Sequence, residues 1–298
     1  MKRVIAMLAL VSVLTLGAGG FLVADESGSG TPLSPTGHPE QDHPSTGSQS
    51  ATDPSAILFQ LGFSYWSNVT TFTPDLELSD TTTLTTGQQQ SAGETFLFQP
   101  VLPMTRTNLL RPALPIVRTP DLPGASSVEG IGDLFLLDLF FFHQPHSTFG
   151  VGPVASLPTA SEDALGSGKF QLGASFVYLY KGFTKDLPGI LLYNQWSVAG
   201  DSGRRDINNL SFQIVWVHHF QDWYMGWTDQ TGLVDWENDS RVTFPVGVKF
   251  GKVFQGKTPM NAAVQPYYTI QEGRDNVYGI KFSASFIKPK WMRHTSKK

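Results

Sequence analysis

The sequence predicts an all-β protein, an antiparallel up-and-down transmembrane β-barrel of about 12 strands. Three observations support this prediction. Segments of alternating apolar and polar residues recur along the chain, with lengths close to the roughly 9–11 residues of a tilted membrane strand. The connectors between them alternate between long and short, as in bacterial outer-membrane barrels. Charged residues make up only 15% of the chain, against roughly 25% in soluble domains.

The composition also excludes several classes of function. The formal net charge of −4 gives no basic surface for nucleic acid, so no nucleic-acid partner is expected. Because the chain has no cysteine, it can form neither a disulfide, nor a thiolate metal site, nor a cysteine nucleophile. We expect no cofactor and no bound metal.

The first 24 residues have the pattern of a secretory signal peptide. Lys2 and Arg3 precede an apolar run at 4–16, and small residues follow, with possible cleavage after Gly20 or Ala24. The apolar run is shorter than the roughly 20 residues that a membrane-spanning helix requires. The pattern therefore predicts export rather than a transmembrane anchor.

Residues 25–55 are rich in Ser, Gly, Pro and Thr and contain almost no apolar side chains. Such a segment cannot offset its ordering entropy by burial, so it is predicted to be a disordered leader. His38 and His43 lie in it, and two isolated histidines in a linker are expected to be solvated rather than metal-bound.

The barrel is predicted to occupy residues 56–287. The predicted strands are 56–63, 95–102, 107–117, 131–143, 148–158, 169–180, 187–198, 209–220, 223–235, 241–253, 259–270 and 277–287. An even number of strands places both termini in the periplasm, and residues 288–298 then form a basic periplasmic tail.

Several segments separate apolar from polar residues on two faces, because side chains alternate along a strand. The segments 169–180, 209–220, 241–253 and 277–287 show this most clearly. Their polar faces would be costly in lipid but are suited to a wet lumen. Aromatic residues near the segment ends suit an interfacial girdle, namely Tyr180, Trp223, Tyr224, Trp227 and Trp236.

Two features depart from this pattern. Residues 131–142 are apolar on both faces. Proline removes a hydrogen-bond donor from the ladder and predicts bulges or breaks at Pro112, Pro115, Pro153, Pro245 and Pro266. A soluble β-sandwich or jelly roll is the alternative fold, although such a fold gives no reason for connectors to alternate in length.

Six stretches carry a family resemblance: FQPVLP at 98–103, EGIGDLFLLDLFF at 129–141, FGVGPVASLPTASEDALGSGKFQLG at 149–173, YNQWSVAGD at 193–201, PVGVKFGKVF at 245–254 and VQPYY at 264–268. Together they resemble a bacterial family of outer-membrane, transporter-like proteins similar to proteins of the meta-pathway of phenol degradation, often misnamed neuromedin U. The resemblance implies an outer-membrane barrel and carries no catalytic residue. Such barrels usually end on an aromatic residue, whereas Phe286 is followed by twelve further residues.

The function predicted from these features is a passive outer-membrane channel or transporter for a small solute, with aromatic or hydrophobic compounds suggested by the resemblance alone. Its partners are outer-membrane lipid, the solute and the barrel-assembly machinery. Candidate lumen residues that would contact the solute are Lys169, Gln171, Gln213, His219, Lys249 and Lys281.

Interior carboxylates are expected to join polar networks, and the candidates are Asp133, Asp138, Asp229 and Asp235. Two alternatives remain open. One is a structural or loop-displaying barrel, and the other is an outer-membrane hydrolase. The hydrolase is disfavoured because Ser211 and His219 would lie roughly 26 Å apart along one strand. We therefore predict that the protein is not an enzyme.

Overall fold

A computed structural model of the protein describes residues 47–72, 75–78, 82–85, 89–121, 126–272 and 276–287. The predicted signal peptide, the leader as far as residue 46 and the basic tail lie outside these residues. A short helix, α1, spans Gly47–Thr52. Among the described residues, no helix is both long and apolar enough to cross a membrane.

The remaining elements are strands: β1 (Gln60–Phe72), β2 (Asp75–Leu78), β3 (Thr82–Thr85), β4 (Gln89–Pro103), β5 (Asn108–Arg118), β6 (Glu129–Ile131), β7 (Leu134–Gln144), β8 (Ser147–Leu157), β9 (Lys169–Tyr180), β10 (Asp186–Gly200), β11 (Asn208–Phe220), β12 (Trp223–Trp227), β13 (Gly232–Asp235), β14 (Arg241–Phe254), β15 (Met260–Gln271) and β16 (Val277–Ile287). A single 3₁₀ turn, Asp163–Leu165, lies between β8 and β9.

These strands form a closed antiparallel barrel with 12 positions in its wall, as predicted. Strands β6 and β7 share one position because both pair with β5. Strands β12 and β13 likewise share the position between β11 and β14. Strand β1 pairs with β16, and this pairing closes the wall. Strands β2 and β3 form a separate hairpin.

Both described ends of the chain lie at one end of the barrel, because Gln60 at the start of β1 pairs with Ile287 at the end of β16. We call this the terminal end. The connections at the terminal end are short, and Gln221–Asp222 between β11 and β12 is one example. The opposite end, the loop end, carries the longer connections that follow β5, β8 and β10.

The outer surface of the barrel is apolar. Large exposed side chains alternate with inward-facing ones along the strands, including Phe176 and Tyr178 on β9, Phe250 on β14, and Ile280 and Phe282 on β16. The faces predicted for these three strands are therefore correct. A closed wall of hydrogen-bonded strands with an apolar outer side satisfies the conditions for crossing a bilayer.

Lysine substitutions on this surface test whether it faces lipid. Phe282 lies near the middle of β16 and is 49% exposed. We expect Phe282→Lys to lower the free energy of unfolding in vesicles by about 2–4 kcal/mol, the cost of a cation near the bilayer midplane. Tyr278→Lys, on the same face near the strand end, should cost much less. Equal tolerance of both substitutions would argue against a membrane location.

The aromatic girdle is only partly as predicted. Trp223 and Trp236 are exposed on the outside. Tyr224 is instead buried in the lumen, where its hydroxyl donates to Asn261 at 2.8 Å. The prediction for Tyr224 was wrong because adjacent residues of a strand face opposite sides, so Trp223 and Tyr224 cannot both join an outer girdle.

Gly251 on β14 makes room for the Tyr224 ring. A Cβ atom at Gly251 would lie 2.2 Å from the nearest ring carbon. We expect Gly251→Ala to destabilise the barrel by about 1–3 kcal/mol through overpacking, measured as a lower urea midpoint. Gly256→Ala is the control, because no atom lies within 4 Å of the corresponding position in that turn. Equal urea midpoints for the two variants would show that the close approach of Gly251 to Tyr224 does not limit the stability of the barrel.

The residues around 131–142 are apolar on both faces for a simple reason. The even-numbered residues Phe140 and Phe142 face outward, whereas Leu139 and Phe141 join an apolar core inside the barrel. The register of β7 with β8 is interrupted between Leu137 and Phe140, opposite Pro153. Proline therefore produces a local break there, as predicted.

The N-terminal boundary of the barrel differs from the prediction. The first strand is Gln60–Phe72 instead of 56–63, and its partner β4 begins at Gln89 instead of Thr95. The polar composition of this region favours a loop, yet long antiparallel strands can extend beyond the lipid-facing band. The disordered leader predicted as far as Ser55 is also wrong for 47–55, which contains α1 and packs into the barrel.

Candidate functional site

The lumen is divided into two spaces by a short segment of the wall. Residues 228–231 interrupt the strand formed by β12 and β13 and fold inward, and we call them the inward segment. On the loop-end side lies a vestibule of about 380 Å³. On the terminal-end side lies a cavity of about 50 Å³. Gln230 and Thr231 line the vestibule, whereas Asp229 lines the cavity, so the inward segment forms the partition.

The vestibule is lined by both polar and apolar surface, contributed by five wall strands and the inward segment. Its inward-facing residues include Asn68, Thr95, Val117, Gln230, Thr231, Tyr267 and Thr269. The Tyr267 hydroxyl donates to Asn68 across the intervening strand β16. Hydroxyl and amide groups at this density can replace water around a small polar solute.

Gln265 on β15 holds the inward segment in place. Its side chain is fully buried. The Asp229 backbone N–H donates to Gln265 Oε1 at 3.0 Å, and Gln265 Nε2 donates to Asp229 Oδ2 at 2.9 Å. Because Gln265 satisfies both a backbone donor and a carboxylate acceptor, it fixes Asp229 in the lumen.

Asp229 is the centre of a charged cluster. Lys281 Nζ donates to Asp229 Oδ1 at 2.8 Å, and Lys249 Nζ lies 3.7 Å from Oδ2. Lys281 Nζ also lies 5.1 Å from the centre of the Trp66 ring, within cation–π range. Two ammonium groups thus share one carboxylate near the middle of the lumen.

A third cation reaches the cluster from the opposite wall. Arg111 lies on β5, and five strands separate β5 from the β12–β13 strand in either direction around the barrel. Its Nε is buried, and the guanidinium lies within electrostatic range of Asp229. No hydrogen-bond acceptor is recorded for its buried Nε among the described residues. We call Arg111, Asp229, Lys249, Gln265 and Lys281 together the central layer.

The six predicted lumen residues all face inward but do not form one site. Lys249 and Lys281 belong to the central layer, and Gln213 lines the small cavity beside it. Lys169 and Gln171 lie at the loop end. Lys169 Nζ donates to Asp206 at 2.9 Å, which holds the pKa of that loop carboxyl below its usual range.

The sixth residue, His219, lies at the terminal end. Its Nδ1 is 3.1 Å from the carbonyl oxygen of Lys185, and its Nε2 is 2.7 Å from the Thr52 hydroxyl. A ring that donates from Nδ1 accepts at Nε2 from Thr52. His218 faces the other side and contacts Asp186 at 2.9 Å. The two histidines therefore point apart, as predicted, and the recorded partners of His219 include no serine.

Residues 47–59, which we call the plug, close the terminal end of the lumen. Ala51, Ile57 and Leu58 pack with wall residues in an apolar core. The wall side of this core comprises Val101, Leu109, Leu137, Leu139, Phe141, Val154, Val177, Leu179, Leu187, Leu191, Val217, Tyr224, Val253 and Ile287. The terminal half of the lumen is therefore filled by side chains.

Polar contacts fasten the plug to the terminal-end turn between β9 and β10. Lys181 Nζ pairs with Asp53 at 2.7 Å and donates to the Ser55 hydroxyl at 2.8 Å. Gln49 Nε2 donates to the carbonyl oxygen of Thr184 at 2.7 Å. These contacts, together with Thr52–His219, hold α1 against the short connections of the wall.

The overall fold matches that of a solved outer-membrane channel. The COG4313 outer membrane channel from Pseudomonas putida F1 superposes with a TM-score of 0.56 at 15% identity, covering 79% of this chain and 99% of that one. The chain has the fold of that channel. A Pseudomonas aeruginosa FadL homologue (8% identity; 80% and 93% coverage) and the Ralstonia pickettii toluene transporter TbuX (9% identity; 80% and 92% coverage) each reach only 0.36. No family model and no curated protein sequence matches the chain.

Proposed function

We propose that this protein is an outer-membrane channel for passive passage of a small solute, exported by its signal peptide and inserted by the barrel-assembly machinery. The observation that carries the proposal is the divided lumen. A closed, lipid-faced wall surrounds a vestibule of about 380 Å³, lined in part by polar groups, that meets a hydrogen-bonded, ion-paired partition. A barrel with only a mechanical role has no need of an internal space lined by polar groups.

In the proposed mechanism, the solute enters the vestibule from the loop end, which faces outward when the termini are periplasmic. Polar groups such as Asn68 and Gln230 replace part of its hydration shell and lower the desolvation penalty. The lysine side chains of the central layer rotate to let the solute pass. The plug must then leave the terminal end, because the side chains of the apolar core fill the lumen there and leave no continuous path for the solute.

The resemblance to proteins of the phenol meta-pathway extends the proposal to aromatic or hydrophobic solutes. Phe286 near the end of β16 is 38% exposed on the outer face, which fits a proposed internal recognition signal for the assembly machinery. The apolar half of the lumen favours a second candidate, a structural or loop-displaying barrel. That candidate requires the plug to remain permanently in place.

Purified full-length protein in planar bilayers tests the proposed function. We expect small, intermittent single-channel currents, because the plug closes the terminal end for most of the time. A strain that lacks the gene should take up the transported solute more slowly. A permanently silent bilayer together with unchanged uptake would favour the structural barrel.

A further inference from the structure

The side chains that face into the vestibule carry no charge in the described part of the chain. Glu94 and Arg118 also border this space, but both point away from it. Glu94 Oε1 accepts from the Tyr65 hydroxyl at 2.9 Å, and Tyr65 is 39% exposed on the outer face. Arg118 lies directly opposite Glu94 in the β4–β5 register and therefore shares that face. A charged solute would find no counter-charge in the vestibule, and an unpaired buried charge is costly.

Asn68 and Tyr267 present a donor and an acceptor side by side in the vestibule. The Tyr267 hydroxyl uses its hydrogen in the bond to Asn68 Oδ1, so the phenolic oxygen is left as an acceptor. Asn68 Nδ2 is a donor for which no partner is recorded among the described residues. Gly279 lets the tyrosine ring reach across β16, because a Cβ atom there would lie 2.5 Å from the tyrosine oxygen. A hydroxyl group suits this pair, since it can donate and accept at the same time.

Further hydrogen-bonding groups around the same space have no protein partner. Thr95, Thr269 and Gln271 line the vestibule, and no hydrogen bond is recorded for their side chains within the described ranges. Gln230 Nε2 is buried without a partner, and no recorded bond fixes that amide against turning toward a solute. Because polar groups in enclosed sites nearly always have partners, a solute with more than one hydroxyl group would complement this lining.

The size and the apolar part of the lining fit a ring compound. A volume of about 380 Å³ is enough for a single six-membered ring with its substituents. Val117 and Val277 provide apolar contact for such a ring. Thr95 is two residues from Gly93, which lies opposite Asn68, so Thr95 and Asn68 are diagonal neighbours at roughly 7–8 Å. Hydroxyl groups on one ring can therefore reach both side chains.

We infer that the vestibule binds an uncharged ring compound that carries hydroxyl groups. Asn68 and Tyr267 are its main ligands, and Thr95 and Thr269 are further ones. The inference rests on the proposed function, in which the vestibule is the entry site for the solute. It adds the chemical class of that solute, which neither the fold nor the comparisons supply.

Calorimetric titration of the full-length protein in lipid nanodiscs tests this inference, with empty nanodiscs as the blank. Resorcinol is the aromatic probe and myo-inositol is the aliphatic one. 1,3-Dimethoxybenzene keeps the ring and oxygens of resorcinol but has no hydroxyl donor, and benzoate and benzylammonium are charged single-ring analogues. We expect resorcinol to bind at least about tenfold more tightly than these three compounds, the effect of one or two hydrogen bonds.

The two probes distinguish the sources of the solute. Binding of resorcinol alone would identify an aromatic solute, and binding of myo-inositol alone would identify a sugar-like one. Absence of binding by both probes would overturn the inference. Binding of the methylated or a charged analogue as tightly as the hydroxylated compound would also overturn it.

Two adjacent tyrosines on β15 provide a matched pair of variants. Tyr267→Phe should weaken binding of the hydroxylated probe by about fivefold, the effect of one hydrogen bond. Tyr268→Phe should leave it unchanged, because Tyr268 is 38% exposed on the outer face. Thr269→Val is a second test with the same expected loss, and it breaks no hydrogen bond recorded in the described chain. Equal effects of the two tyrosine substitutions, or unchanged binding in Thr269→Val, would exclude the vestibule as the site.

Binding and conductance separate this inference from the proposed function. Binding of a hydroxylated probe without conductance would retain the site and remove the channel. Conductance without any preference for resorcinol over 1,3-dimethoxybenzene would retain the channel and remove the site.

Discussion

Deleting residues 47–59 should convert intermittent currents into steady conductance. The plug contributes Ala51, Ile57 and Leu58 to the core that fills the terminal half of the lumen, so its removal leaves a continuous space below the central layer. The wall should remain closed, because β1 begins after the plug and pairs with both β4 and β16. Single-channel recording in planar bilayers measures the change.

A milder variant tests the same interpretation without removing chain. Lys181→Ala breaks the ion pair with Asp53, in which the two side chains are 31% and 17% exposed. A pair of this kind contributes about 1 kcal/mol, so the fraction of time open should rise about fivefold. Lys185→Ala is the control on the same turn, since no ion pair is recorded for Lys185 in the described chain. Unchanged currents in the deletion variant would show that the plug does not limit passage.

Replacing Asp229 with asparagine should produce the largest loss of stability of any single lumen substitution considered. The change leaves Lys281, Lys249 and Arg111 without their shared carboxylate. The side chain of Asp229 is 26% exposed to the lumen, so we expect about 3 kcal/mol, the lower end of the cost of breaking a buried ion pair. Urea unfolding in vesicles, followed by gel mobility, measures the loss.

Two further variants separate charge imbalance from loss of the Gln265 contacts. Asp206→Asn removes a carboxylate whose side chain is 76% exposed in its pair with Lys169 and should have little effect. Adding Lys281→Gln to Asp229→Asn should restore much of the lost stability, because it removes one unpaired cation. Failure of this rescue would indicate that the hydrogen bonds of Gln265, and not the ion pairs, dominate at the partition.

The wall of the barrel could be predicted from the sequence because lipid and lumen demand opposite chemistry on alternate residues. That alternation is clear in β9, β14 and β16, and it placed Lys249 and Lys281 inside correctly. The alternation is weak in the first part of the barrel, where the polar ends of β1 and β4 resemble a loop. The boundary of β1 and the start of β4 were therefore misplaced.

Only part of the central layer could be predicted from the sequence. Arg111 is the sole charge in an apolar, proline-containing segment, and its odd-numbered position places it with inward-facing Leu109. This pattern by itself predicts an inward-facing cation on β5. Of the four predicted interior carboxylates, the one in the central layer is Asp229. The others have separate partners, since Asp133 bonds Ser167, Asp138 bonds Asn108 and Asp235 pairs with Arg205.

The plug could not have been predicted from composition. Residues 47–55 have few apolar side chains of their own, and their order comes from an environment that only the assembled wall provides. Ser55, for example, is 1% exposed because it lies between Asp53 and Lys181. Tertiary contacts with residues more than a hundred positions away have no local signature.

The closure of the wall along β1 and β16 also constrains the order of assembly. The plug runs directly into β1, and β1 pairs with β16, the strand nearest the C-terminus in the described part of the chain, so this seam can close only after both strands have been made. The plug and the β1–β16 seam are therefore adjacent in the sequence. Insertion of the plug into the lumen is expected to accompany closure of that seam. In an assembly intermediate whose β1–β16 seam is still open, the plug would lie outside the lumen. It would then be accessible to proteases that cannot reach it in the folded protein.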